Sequence, residues 1–123
     1  MAVARTYGFT QMPLRGYHTN TDTAAYTLTR DDSGIVFLNQ YTTDTAYTLP
    51  ACADGIGCIF WFMNANTTST LQIISPTANT LVINDDATAT NNTCTAVCGS
   101  WCFVIGDGTY WYCFEGSGTW AEA

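Results

Sequence analysis

Short runs of apolar and β-branched residues, separated by turn-forming clusters, recur along most of the chain. Clusters such as "RDDSG", "ADGIG" and "SPTAN" separate the runs. A rhythm of about 8–12 residues is typical of the strands of a β-sandwich or a β-barrel. No segment of helix length shows a helical apolar period, and no internal repeat at a solenoid period is apparent. The predicted strands are residues 24–29, 34–40, 45–50, 58–63, 70–75, 80–84, 101–106 and 109–114.

The first 22 residues differ from the rest of the chain. They contain Gly8, Pro13 and Gly16, two of the three arginines, and no strand or helix periodicity. The remainder is rich in threonine, a β-branched residue that suits a half-buried sheet surface, and the whole chain has 22 of them. We therefore expect an all-β protein. Residues 1–22 would be an extended arm, and residues 23–123 one sandwich- or barrel-like domain of about eight short strands.

The last two predicted strands form a hairpin around Asp107 and Gly108. If these two residues make a type I′ turn, Cys102 lies directly opposite Cys113. One face of the hairpin then carries the two cysteines with Val104 and Trp111. The other face is the predicted core face, and its residues are Phe103, Ile105, Tyr110, Tyr112 and Phe114.

Six cysteines are candidates for disulfide bonds. Directly paired Cys102 and Cys113 would be close enough for a bridge, although counting from the turn makes them a hydrogen-bonded pair, which suits a bridge less well. The other four leave several connectivities open. They are Cys52 and Cys58, which flank "ADGIG", and Cys94 and Cys98, which would need a turn or other partners. The spacings favour disulfides or free buried thiols over a zinc site.

The charge balance and the lengths of the apolar runs exclude several classes of function. The chain has 10 acidic and 3 basic residues, a balance that argues against binding nucleic acid. No apolar run approaches the ~20 residues of a membrane span, and no secretory signal is visible at the N-terminus. Six cysteines then indicate either a chain made in a reducing cytosol and later exposed to air or a chain trimmed of a leader, and the initiating Met1 favours the first. We expect no membrane partner.

Catalysis is not predicted. The single His18 lies in the expected arm, and most aspartates lie in turn clusters, where aspartate usually forms the turn. We expect no enzyme, no metal site and no cofactor.

The tryptophans allow two interpretations. Exposed rings could stack on sugars, as in a carbohydrate-binding module, whereas buried rings would fill a core and a subunit interface. The second interpretation is favoured for a chain of this size. The residues concerned are Trp61, Trp101, Trp111 and Trp120.

Four segments together resemble small bacteriophage virion proteins. They are "AYTLTRDDSGIVFLNQ", "YTLPACADGIGCIFWFMNA", "LQIISPTANTLVIN" and "GSWCFVIGDGTYWYCFEGSGTW". In that family a "DSG…F" strand opening, a "TLP" strand ending and a terminal "DGT.WY…GTW" hairpin recur. Its members are capsid decoration (cement) proteins, head fibres and tail-fibre modules. The resemblance covers about residues 24–120; it carries over no catalytic residue, and it does not require the cysteines.

The resemblance implies a structural protein of the virion, assembled in the host cytoplasm. A hairpin that is apolar on both faces needs a second covering surface, which a homotrimer would supply. The arm would dock on the major capsid protein or another virion protein, and its docking residues would be Arg5, Tyr7, Phe9, Arg15 and Tyr17. Disulfides formed after release would stiffen the domain by roughly 2–4 kcal/mol each. The alternative from another class is a carbohydrate-binding or host-adhesion module of a head or tail fibre.

Overall fold

A computed structural model of the chain describes residues 14–84 and 86–123. As predicted, the protein is all-β: the described residues form two sheets, of seven and five strands. The strands are β1 (Gly16–Asn20), β2 (Ala25–Thr27), β3 (Ile35–Asn39), β4 (Thr45–Thr48), β5 (Ile59–Asn64), β6 (Leu71–Ile74), β7 (Leu81–Ile83), β8 (Asp86–Ala89), β9 (Asn91–Cys94), β10 (Trp101–Gly106), β11 (Trp111–Ser117) and β12 (Trp120–Glu122). The sheet orders are β1-β3-β5-β10-β11-β7-β8 and β12-β9-β6-β4-β2.

Along the chain, the first six strands alternate between the larger and the smaller sheet. The chain therefore winds around the space between the sheets, with one turn of the winding for each pair of strands. Strands β1, β3 and β5 run parallel in the larger sheet, and β2, β4 and β6 run parallel in the smaller one. The sequence "AYTL" occurs at residues 25–28 and 46–49, and the pairing of β2 with β4 aligns these copies residue for residue. The chain thus contains a short repeat, although no internal repeat at a solenoid period is apparent from the sequence.

Part of the expected arm belongs to the domain. Strand β1 pairs in register with β3, and Asn20 at its end is fully buried. The Asn20 Nδ2 donates a hydrogen bond to Asn39 Oδ1 at 2.8 Å, which ties the first turn of the winding to the second. Residues 16–20 are therefore a sheet edge and not an extended arm. Arg5, Tyr7 and Phe9 lie outside the described residues.

Aromatic rings and asparagine amides fill the space between the sheets. Phe37, Tyr47 and Phe62 form a cluster with ring centroids 5.3–5.6 Å apart. Beside it lies a row of buried asparagines, one per turn of the winding, in which Asn39 pairs with Asn20 on one side and with Asn64 on the other. Burial raises the pKa of Tyr47, whose hydroxyl lies 3.5 Å from Asn39 Oδ1.

The terminal hairpin has a longer loop than predicted. The Asp107 carboxylate accepts the backbone N–H groups of Thr109 and Tyr110, both at 2.8 Å, and this closes a loop of residues 107–110. The register then pairs Val104 with Cys113 and Cys102 with Glu115. The predicted direct pairing of Cys102 with Cys113 is wrong because two more residues than expected belong to the loop.

The two faces of this hairpin are also the reverse of the prediction. Cys102, Val104, Trp111 and Cys113 face the core and are buried. The Trp111 Nε1 donates to Pro50 O at 3.1 Å. The face predicted to be core lies on the outside of the larger sheet.

Candidate interaction surface

The outer side of the seven-stranded sheet carries an uncharged aromatic and aliphatic surface. We call it the aromatic face; it extends over the adjacent strands β1, β3, β5, β10 and β11. Its members are the outward-pointing residues of these strands: Tyr17, Thr19, Val36, Leu38, Ile59, Trp61, Met63, Trp101, Phe103, Ile105, Tyr112 and Phe114. None of them is acidic or basic.

Four of these side chains form a continuous ring stack. Trp101 stacks on Trp61 at 4.9 Å between ring centroids, Trp61 on Phe103 at 4.9 Å, and Phe103 on Phe114 at 4.7 Å. The interplanar angles are 15–27°. This spacing matches the ~4.8 Å between neighbouring strands, so that rings from adjacent strands lie face to face. Each stacked ring therefore covers a flat face of its neighbour.

A glycine makes room for one end of the stack. The Trp101 ring lies directly over Gly116, where an added Cβ would be 2.1 Å from the Trp101 Cε2 and Cζ2 atoms. Consecutive Trp101 and Cys102 pair with Ser117 and Glu115, so Gly116 is the extra residue of a β-bulge in β11. The bulge and the glycine together aim the indole along the sheet and not away from it.

The outer side of the five-stranded sheet has a different chemistry. One row across it reads Ala25, Ala46, Gln72, Thr93 and Ala121. The next row contains threonine, asparagine and a single large apolar residue, Ile74. Threonine and amide side chains suit contact with water and the alanines between them are small, whereas the aromatic face exposes large rings. The two outer surfaces of the sandwich are thus unlike each other.

Exposure is largest at the edges of the aromatic face. Tyr17 is 73 % exposed, Phe114 47 % and Ile105 37 %. Inside the face, Trp61, Trp101 and Phe103 are half-buried by the stack itself.

The four predicted tryptophans divide evenly between core and surface. Trp111 and Trp120 belong to the core, and Trp120 Nε1 donates to Ser117 O at 2.9 Å. Trp61 and Trp101 belong to the aromatic face.

The two expected docking residues within the described part of the chain, Arg15 and Tyr17, lie in different parts of the fold. Tyr17 lies on the aromatic face, while the Arg15 guanidinium donates to Ser33 O at 2.7 Å and to Asp31 O. Arg15 therefore holds the loop before β3.

The cysteines are free thiols, and the expected disulfides are not formed. Five are buried and Cys98 is exposed. Burial, and next a hydrogen bond with the Cys113 thiol, raise the pKa of Cys102. Cys58 lies 3.5 Å from an Arg30 nitrogen and 3.6 Å from Asp54 O, so polar partners other than Cys52 surround its sulfur.

The single histidine is also held in the fold. The His18 Nε2 lies 3.0 Å from the Tyr26 hydroxyl, and its Nδ1 is buried without a partner among the described residues. Within residues 14–84 and 86–123, no three His, Cys, Asp or Glu side chains are grouped as a metal ion would require.

Sequence reasoning did not find the aromatic face as a whole because it assigned the hairpin residues Phe103, Ile105, Tyr112 and Phe114 to the core. A signal was present: "IVFL" (35–38), "IFWFM" (59–63) and "WCFVI" (101–105) are apolar at consecutive positions. Strands that are apolar at every position are typical of sheets covered on both sides.

No family model matches the chain, and no curated protein matches it. In the described part of the chain, no helix has the length and apolar character needed to cross a membrane.

Proposed function

We propose that this chain is a structural virion protein of a bacteriophage, a β-rich, trimeric cement protein that decorates and stabilises the capsid exterior. The observation that carries the proposal is the uncharged aromatic face on a chain of net charge −7. Such a face on a small acidic domain is the mark of a protein that assembles with other protein surfaces. The assignment to a virion rests on the resemblance over residues 24–120.

The fold changes which residues would form the proposed docking arm. Residues 16–20 are a strand of the domain, so a docking arm would comprise residues 1–15. Of the five expected docking residues, Tyr17 belongs with the aromatic face. The arm then contributes Arg5, Tyr7 and Phe9, and Arg15 anchors its end to the loop at Asp31 and Ser33.

The geometry of the ring stack disfavours the sugar-binding alternative. A sugar can stack on an aromatic side chain only where one flat face of the ring is free. Here Phe103 is stacked on both sides, by Trp61 of β5 and Phe114 of β11, and Trp61 is stacked by two rings of β10. These contacts occupy ring faces that a sugar would need.

The test is to locate the chain on particles of the phage that encodes it. We expect immunogold labelling on the outside of the head, and heads without the chain should disassemble at a lower temperature. Labelling confined to the tail, or no labelling of particles, would overturn the proposal.

The arm is tested by adding purified chain back to particles that lack it. A chain without residues 1–13 should no longer bind, whereas Thr93→Ser, on the polar outer surface, should bind normally. Unchanged binding by the truncated chain would overturn the role of the arm. Binding of the chain to a glycan array would support the adhesion module instead.

A further inference from the structure

We infer that the aromatic face is covered by the same face of other copies of this chain, arranged around a threefold axis. The inference deepens the proposed function and rests on it for the number of copies. The strands, the charges and the width of the face support it.

The strands of the larger sheet are built to be covered on both sides. In β5, Phe60 and Phe62 are fully buried against the other sheet, while Trp61 and Met63 point outward. In β10, Val104 is fully buried, while Phe103 and Ile105 point outward. A sandwich of two sheets covers only one side of each, so the outward residues require a further layer.

The charges indicate that this layer is another copy. Each chain carries a net charge of −7, so two copies repel wherever their charged surfaces approach. The aromatic face has no charged side chain, and it is the part of the larger sheet on which copies can meet without placing like charges together. A strongly charged partner would find no opposite charge there to pair with.

The width of the face fits a threefold arrangement. Five strands at about 4.8 Å spacing make a face about 19 Å wide. Three such faces forming a triangular prism leave about 5.5 Å from each sheet to the central axis, which is close to half of the ~10 Å that separates packed sheets. Outward side chains from three copies therefore reach the axis and fill the space along it.

The test compares the same substitution on the two outer surfaces. Ile105 lies in the aromatic face, and Ile74 occupies an outward position in the five-stranded sheet. The full chain and the variants Ile105→Lys and Ile74→Lys are examined by native mass spectrometry and by sedimentation over a range of concentrations.

We expect three copies for the full chain and for Ile74→Lys, and self-association at least about tenfold weaker for Ile105→Lys, since a buried unpaired charge is costly. Phe114→Thr is a second variant should Ile105→Lys fail to fold by circular dichroism. Phe114 is half exposed in the single chain, so its loss should weaken association and leave the fold intact.

A monomeric full chain, or equal association of Ile105→Lys and Ile74→Lys, would overturn the inference. A particle of two copies would overturn the threefold arrangement. A trimer sensitive to Ile105→Lys that is absent from phage particles would support this inference and overturn the virion function, so the two failures are distinguishable.

Discussion

Cys98 is the exposed cysteine among six free thiols, and this difference predicts their reactivity. Thiolates are the reactive form, and burial raises the pKa of Cys94 and Cys102, which keeps them protonated. We expect iodoacetamide to add once to the native protein and six times after denaturation. Intact mass spectrometry of the two samples measures this directly.

The control for this prediction is Cys98→Ser, which should take up no label in the native state. Rapid addition of two or more labels to the native wild-type protein would show that the buried thiols are accessible. A native mass two units below that of the fully reduced chain would show a disulfide, contrary to the thiols described above.

Asp107 makes the stability of the terminal loop depend on pH. Hydrogen bonds from the Tyr110 backbone, the Tyr112 hydroxyl and the Thr109 backbone lower the pKa of its carboxyl. A lowered folded pKa means that ionised Asp107 stabilises the fold above its unfolded pKa of about 4. This stabilisation is lost as the pH falls through the folded pKa.

The corresponding experiment compares thermal unfolding of the wild-type protein and Asp107→Asn from about pH 6 to about pH 2. We expect the wild type to be the more stable at the upper end and the difference to shrink on acidification. In Tyr112→Phe the carboxyl titration, followed by NMR, should move up towards the usual value. A stability difference that does not change with pH would contradict this account.

At the level of elements, the pairing of β10 with β11 depends on Gly116. A Cβ at this position would collide with the Trp101 ring at 2.1 Å, so Gly116→Ala must displace the indole from the ring stack. We expect a loss of about 1–3 kcal/mol in the free energy of unfolding, the usual cost of overpacking. Urea unfolding followed by tryptophan fluorescence at a fixed protein concentration measures it.

Gly16→Ala is the matched control, since Gly16 is also a strand glycine. Among the described residues, its added Cβ would meet only Ile35 Cδ1, at an ordinary contact distance of 3.6 Å. We expect its unfolding free energy to stay within about 0.5 kcal/mol of the wild type. Equal effects of the two substitutions would show that Trp101 does not depend on Gly116 for its place.

Strands were more predictable from the sequence than the surfaces they form. The loop at Asp107 is two residues longer than expected, and an even shift changes partners without moving any residue to the other face. Cys102 and Trp111 were therefore correctly grouped on one face. The sequence predicts that this face is the outer one because the opposite face carries more large aromatic and aliphatic residues, among them Phe103 and Phe114.

The parallel pairing of the first six strands was not predicted, because the sequence repeat behind it is irregular. Strands β2 and β4 share "AYTL", but unequal loops place the buried Asn20, Asn39 and Asn64 at unequal intervals. A fixed-period search does not detect such a repeat. The asparagine row has no sequence signature of its own, because asparagine also occurs outside the strands, at Asn66, Asn79 and Asn84.

For the whole molecule, salt distinguishes association through the aromatic face from association through charges. Copies with a net charge of −7 repel, while an uncharged contact surface contributes no attraction that ions could screen. Raising the ionic strength from about 0.01 M to about 0.1 M shortens the Debye length from about 30 Å to about 10 Å. We therefore expect the self-association of the chain to strengthen as salt is added, as measured by sedimentation equilibrium. Ile105→Lys, which places a cation in the face, should associate weakly throughout this range. Wild-type association that weakens with salt would mean that ion pairs hold the copies together, and the aromatic face would then need another covering partner.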